Sequence, residues 1–459
     1  SILWSNVSEI NPRVQLVSES GYINLDYSDM QYLDESDFEG DNNISSYPYF
    51  NNPDSMDYSI TDQSFCIGSG TAAGAPQYDY LGNSRPTPEG SNPDIGAYEN
   101  PLESREGKEL FTILGNGPVE GGVSIINDNV IYATSSQDKV YRFDDQGNIT
   151  YTLDVNGEIK SATTITNDHT VYIASTDNNL YSFNSNGVSN PNWPISMGAE
   201  VTASVAVDKD FNVYIGTENG IFQAISPQGD ILWNYNVGGP VYASAAISSS
   251  NTLYIVNKNG RLFAFDLNSI DPNNVQSNWT LELGENVISS PALDDNNNIY
   301  ITTMSGNLLK INDQGGNASI EWSYPVEASI ESSPVIGSDY TVYFGCNDSL
   351  VYAVDGNNGE IKWSTKTGGS VLSTPSLVET NDRLYVGSDD GYLYSLDLNN
   401  GDIIRNVYFG SKIRSPIIAL SGLVYFGTMD GRIIALEQNQ SVSKPSMFTS
   451  TNSIWPTFQ

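Results

Sequence analysis

From about residue 110 the chain repeats itself, and the period of that repeat decides the architecture. One segment type is rich in small residues and reads "GGVSI", "SATTI", "ASVAV", "ASAAI", "SSPAL", "SSPVI", "STPSL" and "RSPII". Its central residues, Val123, Thr163, Val205, Ala245, Pro291, Pro334, Pro375 and Pro416, lie 40 to 46 residues apart. A second type runs in phase with it, placing Tyr132, Tyr172, Tyr214, Tyr254, Tyr300, Tyr343, Tyr385 and Tyr425 each after Val, Ile or Leu. The third reads "VYRFD", "LYSFN", "FQAI", "LFAFD", "LLKIN", "VYAVD", "LYSLD" and "IIALE". A period in the low forties, made of four short strands with turn residues between them, predicts an all-β chain built as an eight-bladed β-propeller.

Each position takes its residue type for a physical reason. The first strand of a blade lies nearest the central channel, where blades crowd, so Ser, Ala, Thr, Gly and Pro are expected there. The second and third strands are packed on both faces by neighbouring blades and run apolar. Trp193, Trp233, Trp279, Trp322 and Trp363 close successive repeats and offer a broad surface on which one blade docks on the next. "TENG", "NKNG" and "SDDG" read as hairpin turns in which Gly or Asn accepts positive φ. Seven fourth strands follow their third strands, but the last repeat lacks one, while "KELFTIL" at 108–114 precedes the first inner strand without a blade of its own. That segment is expected to close blade eight and leave no open edge.

The elements "SSP", "VYFG" and "VYAVDGNNGEIKW" (351–363) resemble the quinoprotein-dehydrogenase-like propellers, a group that includes outer-membrane assembly lipoproteins and quinone alcohol dehydrogenases. The resemblance covers roughly 108–440. It implies the fold and leaves the function open, because the group contains both enzymes and binding scaffolds.

Before the repeat the composition changes to Asn, Asp, Ser, Pro and Tyr. "SILWSN", "INLDYSDMQ", "YDYLGNSRP" and the ending "DIGAYE" at Asp94–Glu99 resemble the last coils and tail of a right-handed parallel β-helix of a secreted bacterial surface protein. The resemblance departs at "SFCIGSG". Its implied organisation is the end of a β-helix over 1–100, a linker at 101–107, the propeller over 108–440 and an extension at 441–459 leading to further modules. With no initiating Met and no signal-peptide pattern, the sequence is expected to be a piece of something longer.

Bulk composition narrows the partners. Lys and Arg number 19 against 55 Asp and Glu, a formal charge of −36. Such a field repels nucleic acid and anionic bilayers. The longest apolar stretch, "PIIALSGLVYFG" at 416–427, is far short of the ~20 residues that span a bilayer, so no membrane insertion is expected. Cys66 and Cys346 are the only cysteines, which leaves no disulfide framework, and Cys346 follows "VYFG" where a small buried thiol is expected.

Candidate chemistry is sparse. Quinone catalysis in the resembling enzymes implies a carboxylate base, a calcium ligand set and, in many, adjacent cysteines, which this chain lacks; no cofactor is expected. His169, the only histidine, sits in the turn "TNDHT", so no histidine triad or multi-histidine metal site can form. "VDKDFN" sets Asp208, Asp210 and Asn212 at alternate positions, and "LDDNNN" sets Asp294 and Asn296 in the equivalent hairpin. Alternate oxygen ligands suit calcium, although position twelve from Asp208 is Asn219, not the glutamate of an EF-hand-type loop. Tight hairpins want the same residues for backbone reasons, and that reading is preferred. The function expected is a non-enzymatic binding, adhesion or structural module, secreted or on the cell surface. Its expected partner is a surface protein or glycan, or a second copy of itself. The alternatives are a quinone- and calcium-dependent oxidoreductase, a polysaccharide-acting enzyme and an outer-membrane assembly scaffold.

Overall fold

The computed structural model describes residues 109–127, 130–420 and 422–437; upstream it describes the strand backbone at Ile2–Leu3, Asp29–Met30, Phe50–Asn52 and Asp57–Ile60, and residues 77–79 and 84–85. The chain divides into two compact units, one built mainly on Ser1–Glu109 and the other on Leu110–Asn406 with Ser411–Ala435. In the first, Ile2–Leu3 pairs in parallel with Asp29–Met30, and Phe50–Asn52 pairs in antiparallel fashion with Asp57–Ile60. Most of the β-helix expected over 1–100, the linker at 101–107 and the extension at 441–459 lie outside the described residues.

The repeat folds into eight four-stranded antiparallel sheets, the blades of an all-β propeller. Blade one runs Val123–Asn127, Val130–Ser135, Lys139–Phe143 and Ile149–Asp154, and the others follow in sequence order. Blade eight takes Ile418–Leu420, Leu423–Gly427 and Arg432–Glu437, then borrows Glu109–Leu114 as its fourth strand, so the segment expected to close the ring does so. Closure is also a packing fact: Ile113, Val123, Ile131, Phe143, Tyr425 and Ile433 share one buried cluster across blades eight and one. Each of the other clusters likewise spans two neighbouring blades, for example Val351, Trp363, Leu384 and Leu396 across blades six and seven.

The inner strands differ from expectation in one respect. In "SSPAL" and "SSPVI" only Ala292–Leu293 and Val335–Ile336 join the sheets, and the inner strands are just as short where no proline precedes them, at Thr164–Ile165, Ala206–Val207 and Ala246–Ile247. Small residues in these strands and just before them link the blades. Ser124 Oγ donates to Thr163 O (2.7 Å) and Thr164 Oγ1 to Val205 O (2.8 Å). Ser244, Ser290 and Ser333 hydroxyls accept the N–H of Ser204, Ser244 and Ser290 in turn, each at 3.0 Å. Hydroxyls at these positions therefore satisfy backbone groups as well as fitting a crowded centre.

Blade docking by tryptophan takes a definite form. Trp363 donates its indole N–H to Leu398 O of the next blade (2.9 Å), and Trp279 donates to Asp313 Oδ1 (2.9 Å). Gly359, in the turn of "VYAVDGNNGEIKW", has φ +75°, and a Cβ there would come 2.8 Å from Trp322 Cδ2. The glycine of the motif thus lets the preceding blade's indole lie flat on the turn.

Candidate functional site

One face of the ring is formed by the turns joining second to third strands and by the loops that enter each blade. These are tied together by a hydrogen bond repeated in all eight blades. The second residue of each turn donates its N–H to the entry loop of its own blade: Ser136 to Pro118 O (2.8 Å), Thr176 to Glu158 O (3.0 Å), Glu218 to Glu200 O (3.0 Å) and Lys258 to Pro240 O (2.7 Å). Met304 to Asn286 O, Asn347 to Ser329 O, Asp389 to Ser370 O and Met429 to Lys412 O complete the set. The first residue of a turn also reaches the loop of the following blade, as Thr217 O accepts from Val241 N–H (3.2 Å) and Cys346 O from Val371 N–H (3.0 Å).

Those two valines belong to a series that the reading of the repeat missed: Val119, Ile159, Val201, Val241, Val287, Ile330, Val371 and Ile413, none more than 1% exposed. The signal was present as an in-phase Val or Ile four or five residues before the start of each inner strand. Each plugs against the end of the preceding blade's second strand. A Cβ added to Gly216, Gly345, Gly387 or Gly427 would meet the plug at 2.1 to 2.4 Å, which explains why so many second strands end in glycine, as "VYFG" does.

With the plug buried, the residue after it turns the other way and borders the mouth of the channel. These residues are Glu120, Lys160, Thr202, Tyr242, Ile288, Glu331, Leu372 and Arg414, partly or fully exposed. Arg414 makes a forked pair with Asp389, both bonds at 2.7 Å, and Lys412 adds a third at 2.9 Å. Burial of Asp389 opposes its ionisation, but the bonds from Arg414 and Lys412 outweigh this and hold its carboxyl below the usual range. Arg414 also feels Glu331 and Glu120, so residues from several blades converge there. Opposite in character is the sector over blades one to three. There a cavity of about 590 Å³ is lined by Asn116, Gln137, Asp138, Glu158, Lys160, Thr176 and Glu200. Tyr242 stands beside it with Lys258 Nζ 5.1 Å from its ring centroid, and its hydroxyl is pushed up by burial and then by Glu218 and Glu200.

The calcium candidates lie elsewhere, on the loops joining first to second strands. Asp208 Oδ1 accepts the N–H of Asp210 and of Asn212 (both 2.9 Å), while Oδ2 accepts Asn212 Nδ2 (2.9 Å) and the Tyr214 hydroxyl (2.8 Å). Asp294 is engaged in the same way by Asn296 N–H, Asn298 N–H, Asn298 Nδ2 and Tyr300 OH. A carboxylate that accepts four donors has its lone pairs filled. Asp210 points to Lys209 instead (2.6 Å), and the two hairpins sit on different blades, three and five. The phase D-x-x-x-N-x-Y, with tyrosine as the fourth donor, was legible but went unread. Among the described residues, no three His, Cys, Asp or Glu side chains gather to hold a metal.

His169 is half-buried in its turn at φ +64°. Cys346 is buried, with Sγ 3.5 Å from Ser329 O, and burial pushes its thiol up to about 12. A thiol held protonated is a packing residue, not a nucleophile. Among the described residues, no helix is long and apolar enough to cross a membrane.

None of the curated proteins compared with this sequence matches it. Solved structures do. BamB from Moraxella catarrhalis superposes with a TM-score of 0.61 at 17% identity, over 72% of this chain and 99% of that one. The computationally designed Ika8 protein gives 0.61 at 14% identity, over 72% and 99%. Chaetomium thermophilum Sqt1, solved bound to the N-terminus of the ribosomal protein L10, gives 0.59 at 14% identity, over 70% and 99%. At these identities the likeness shows the fold. The family model described as outer membrane protein assembly factor BamB matches residues 95–271 and 266–456, most of the sequence. With eight blades of that repeat closed by its own leading strand, the chain belongs to the BamB family of PQQ-like-repeat propellers.

Proposed function

We propose that this propeller is a non-enzymatic binding module of a secreted or cell-surface protein, and that it takes its partner on the face of clasped turns and entry loops. The observation that carries the reading is the clasp itself. Eight loops bound to eight turns hold the charged side chains at the channel mouth in fixed places without spending them on the core. Preorganised polar groups around a concavity suit recognition. The cavity over blades one to three, with Asp138, Glu158 and Glu200 against one lysine, favours a partner that presents a cationic segment. Sqt1, of the same fold, was solved bound to the N-terminus of a ribosomal protein. Catalysis is disfavoured by the thiol of Cys346 being held protonated and by hairpin carboxylates already saturated with donors.

The β-helix reading of residues 1–100 goes with this proposal. The parallel pairing of Ile2 with Asp29, 29 − 2 = 27 residues on, has the spacing of one coil of such a helix. A second reading, an assembly scaffold at the outer membrane, is favoured by the family match. A photo-crosslinking residue placed at Thr176 or Glu200, and separately at Ile361 on an exposed outer strand, tests both. The binding reading expects a discrete adduct from the mouth positions and none from Ile361, with a surface partner. An adduct to an outer-membrane β-barrel would favour the scaffold, and crosslinks from Ile361 alone would sink both.

A further inference from the structure

The sequence contains seven Asn-Gly pairs, at 116–117, 156–157, 186–187, 219–220, 259–260, 358–359 and 400–401. This dipeptide can rearrange on its own. The glycine amide nitrogen, giving up its proton, attacks the asparagine Cγ; the new N–Cγ bond forms and the Cγ–Nδ2 bond breaks. Ammonia leaves with that proton, a five-membered imide remains, and water opens it at either carbonyl to give aspartate or isoaspartate. The step therefore needs a glycine amide free to act as the nucleophile.

In five of the seven pairs it is not free. Gly187 N–H donates to Asn184 O (2.9 Å), Gly220 to Thr217 O (3.0 Å), Gly260 to Asn257 O (3.0 Å), Gly359 to Asp355 O (2.8 Å) and Gly401 to Asp397 O (2.9 Å). Several of the asparagines are tied as well: Asn358 Oδ1 accepts Glu360 N–H (2.9 Å) and Asn400 Oδ1 accepts Asp402 N–H (3.0 Å). At 116–117 the glycine amide has no such bond, but Asn116 Nδ2 is held by Gln137 O (2.8 Å) and Asp138 Oδ1 (2.9 Å). Only at 156–157 do the conditions meet. Both residues are exposed, and among the described residues the Gly157 amide donates to no group, while the neighbouring amides of Asn156 and Glu158 are engaged by Tyr181 OH and Thr176 Oγ1.

We infer that Asn156 is the position at which this propeller deamidates, ahead of its six other Asn-Gly pairs. The place gives the change a consequence. Gly157 and Glu158 line the cavity over blades one to three, so conversion adds a negative charge at its rim, beside Glu158 and Asp138. In the isoaspartate product the Asn156 carbonyl that Ser175 Oγ grips becomes a free carboxylate, and the backbone, one atom longer, runs on through Cγ. The inference rests on turn geometry and stands whatever the propeller binds.

The full-length protein, held at mildly alkaline pH and 37 °C, is sampled over time by peptide mass mapping, in buffer and in concentrated urea. The expected result is conversion at Asn156 about tenfold faster than at any other pair in buffer, with the seven rates drawing together in urea. Conversion led by Asn186, Asn358 or Asn400 in buffer would overturn it. So would an order in buffer that matches the order in urea, because the fold would then not be selecting the site. Asn156→Gln, which leaves the turn glycine in place, should remove the first event and leave the later ones unchanged.

Discussion

The plug and the glycine it meets can be tested as a pair. An ideal Cβ on Gly216 lies 2.4 Å from Val241 Cγ1, 2.5 Å from its Cβ and 2.9 Å from Cγ2, so every close neighbour is the Val241 side chain. Gly216 does not need positive φ, and Ala alone would favour the strand by about 0.5–1 kcal/mol through the unfolded state. Overpacking a site this tight costs about 1–3 kcal/mol. Gly216→Ala should therefore destabilise by roughly 1–2 kcal/mol. Val241→Gly removes all three contacting atoms from a fully buried site and should cost about 3–4 kcal/mol. In the double variant the new methyl occupies the space the plug vacated, so the loss should fall short of the sum by at least about 1 kcal/mol. Urea unfolding followed by tryptophan fluorescence gives the midpoints. Gly316→Ala, where an added Cβ meets nothing within 4 Å, is the control and should be neutral or slightly stabilising. Additivity within about 0.5 kcal/mol, or a Gly216→Ala midpoint above that of the parent, would refute the plug.

Further outcomes follow from the same geometry. Gly401→Ala forces a Cβ onto a residue at φ +75° and 2.5 Å from Trp363 Cε3, so it should lower the urea midpoint more than Gly216→Ala does. Asp389 has a lowered folded pKa, so its contribution is present above its unfolded value near 4 and is lost as pH falls through the folded one. Asp389→Asn should accordingly flatten the acid limb of the stability profile, read as midpoint against pH. Burial pushes the Tyr172 and Tyr343 hydroxyls up to about 12. Their contribution is complete below the unfolded value near 10 and falls away as pH rises toward 12, so tyrosinate absorbance at pH 11 should jump on unfolding. In a Cys66→Ser background the Cys346 thiol should resist a thiol reagent at pH 8 until urea exposes it, and reaction in the native state would contradict its burial.

The blade count, the ring closure and the docking tryptophans were legible because each is a periodic apolar or small-residue signal, and packing between neighbouring blades enforces such signals. The inner strands begin about three residues later than the small-residue segments that announced them, with proline (Ala292, Val335) or without it (Thr164, Ala206, Ala246), because the leading small residues bond to neighbouring blades and not into a ladder. Val119 and its seven counterparts went unread because their burial depends on the preceding blade: Val241, Val371 and Ile413 meet Gly216, Gly345 and Gly387, and Val119 meets Gly427 at the far end of the repeat. The preference for a hairpin over calcium at Asp208 and Asp294 could have been argued further by counting donors: a hairpin that wants Asp at its first position supplies two N–H groups to it, and Tyr214 and Tyr300 arrive from the next strand to complete the shell. The channel mouth was invisible for a different reason. Glu120, Tyr242, Glu331 and Arg414 share a phase but no chemistry, and only the ring brings them together.

The central claim, a propeller that binds without catalysing, is tested most directly by native mass spectrometry of the protein isolated from its source, before and after a calcium chelator. The mass expected is that of the polypeptide alone, of a defined oligomer, or of the polypeptide with a protein or glycan partner, unchanged in small-molecule content by the chelator. A stoichiometric quinone-sized adduct that leaves with calcium would contradict it and make the protein an oxidoreductase.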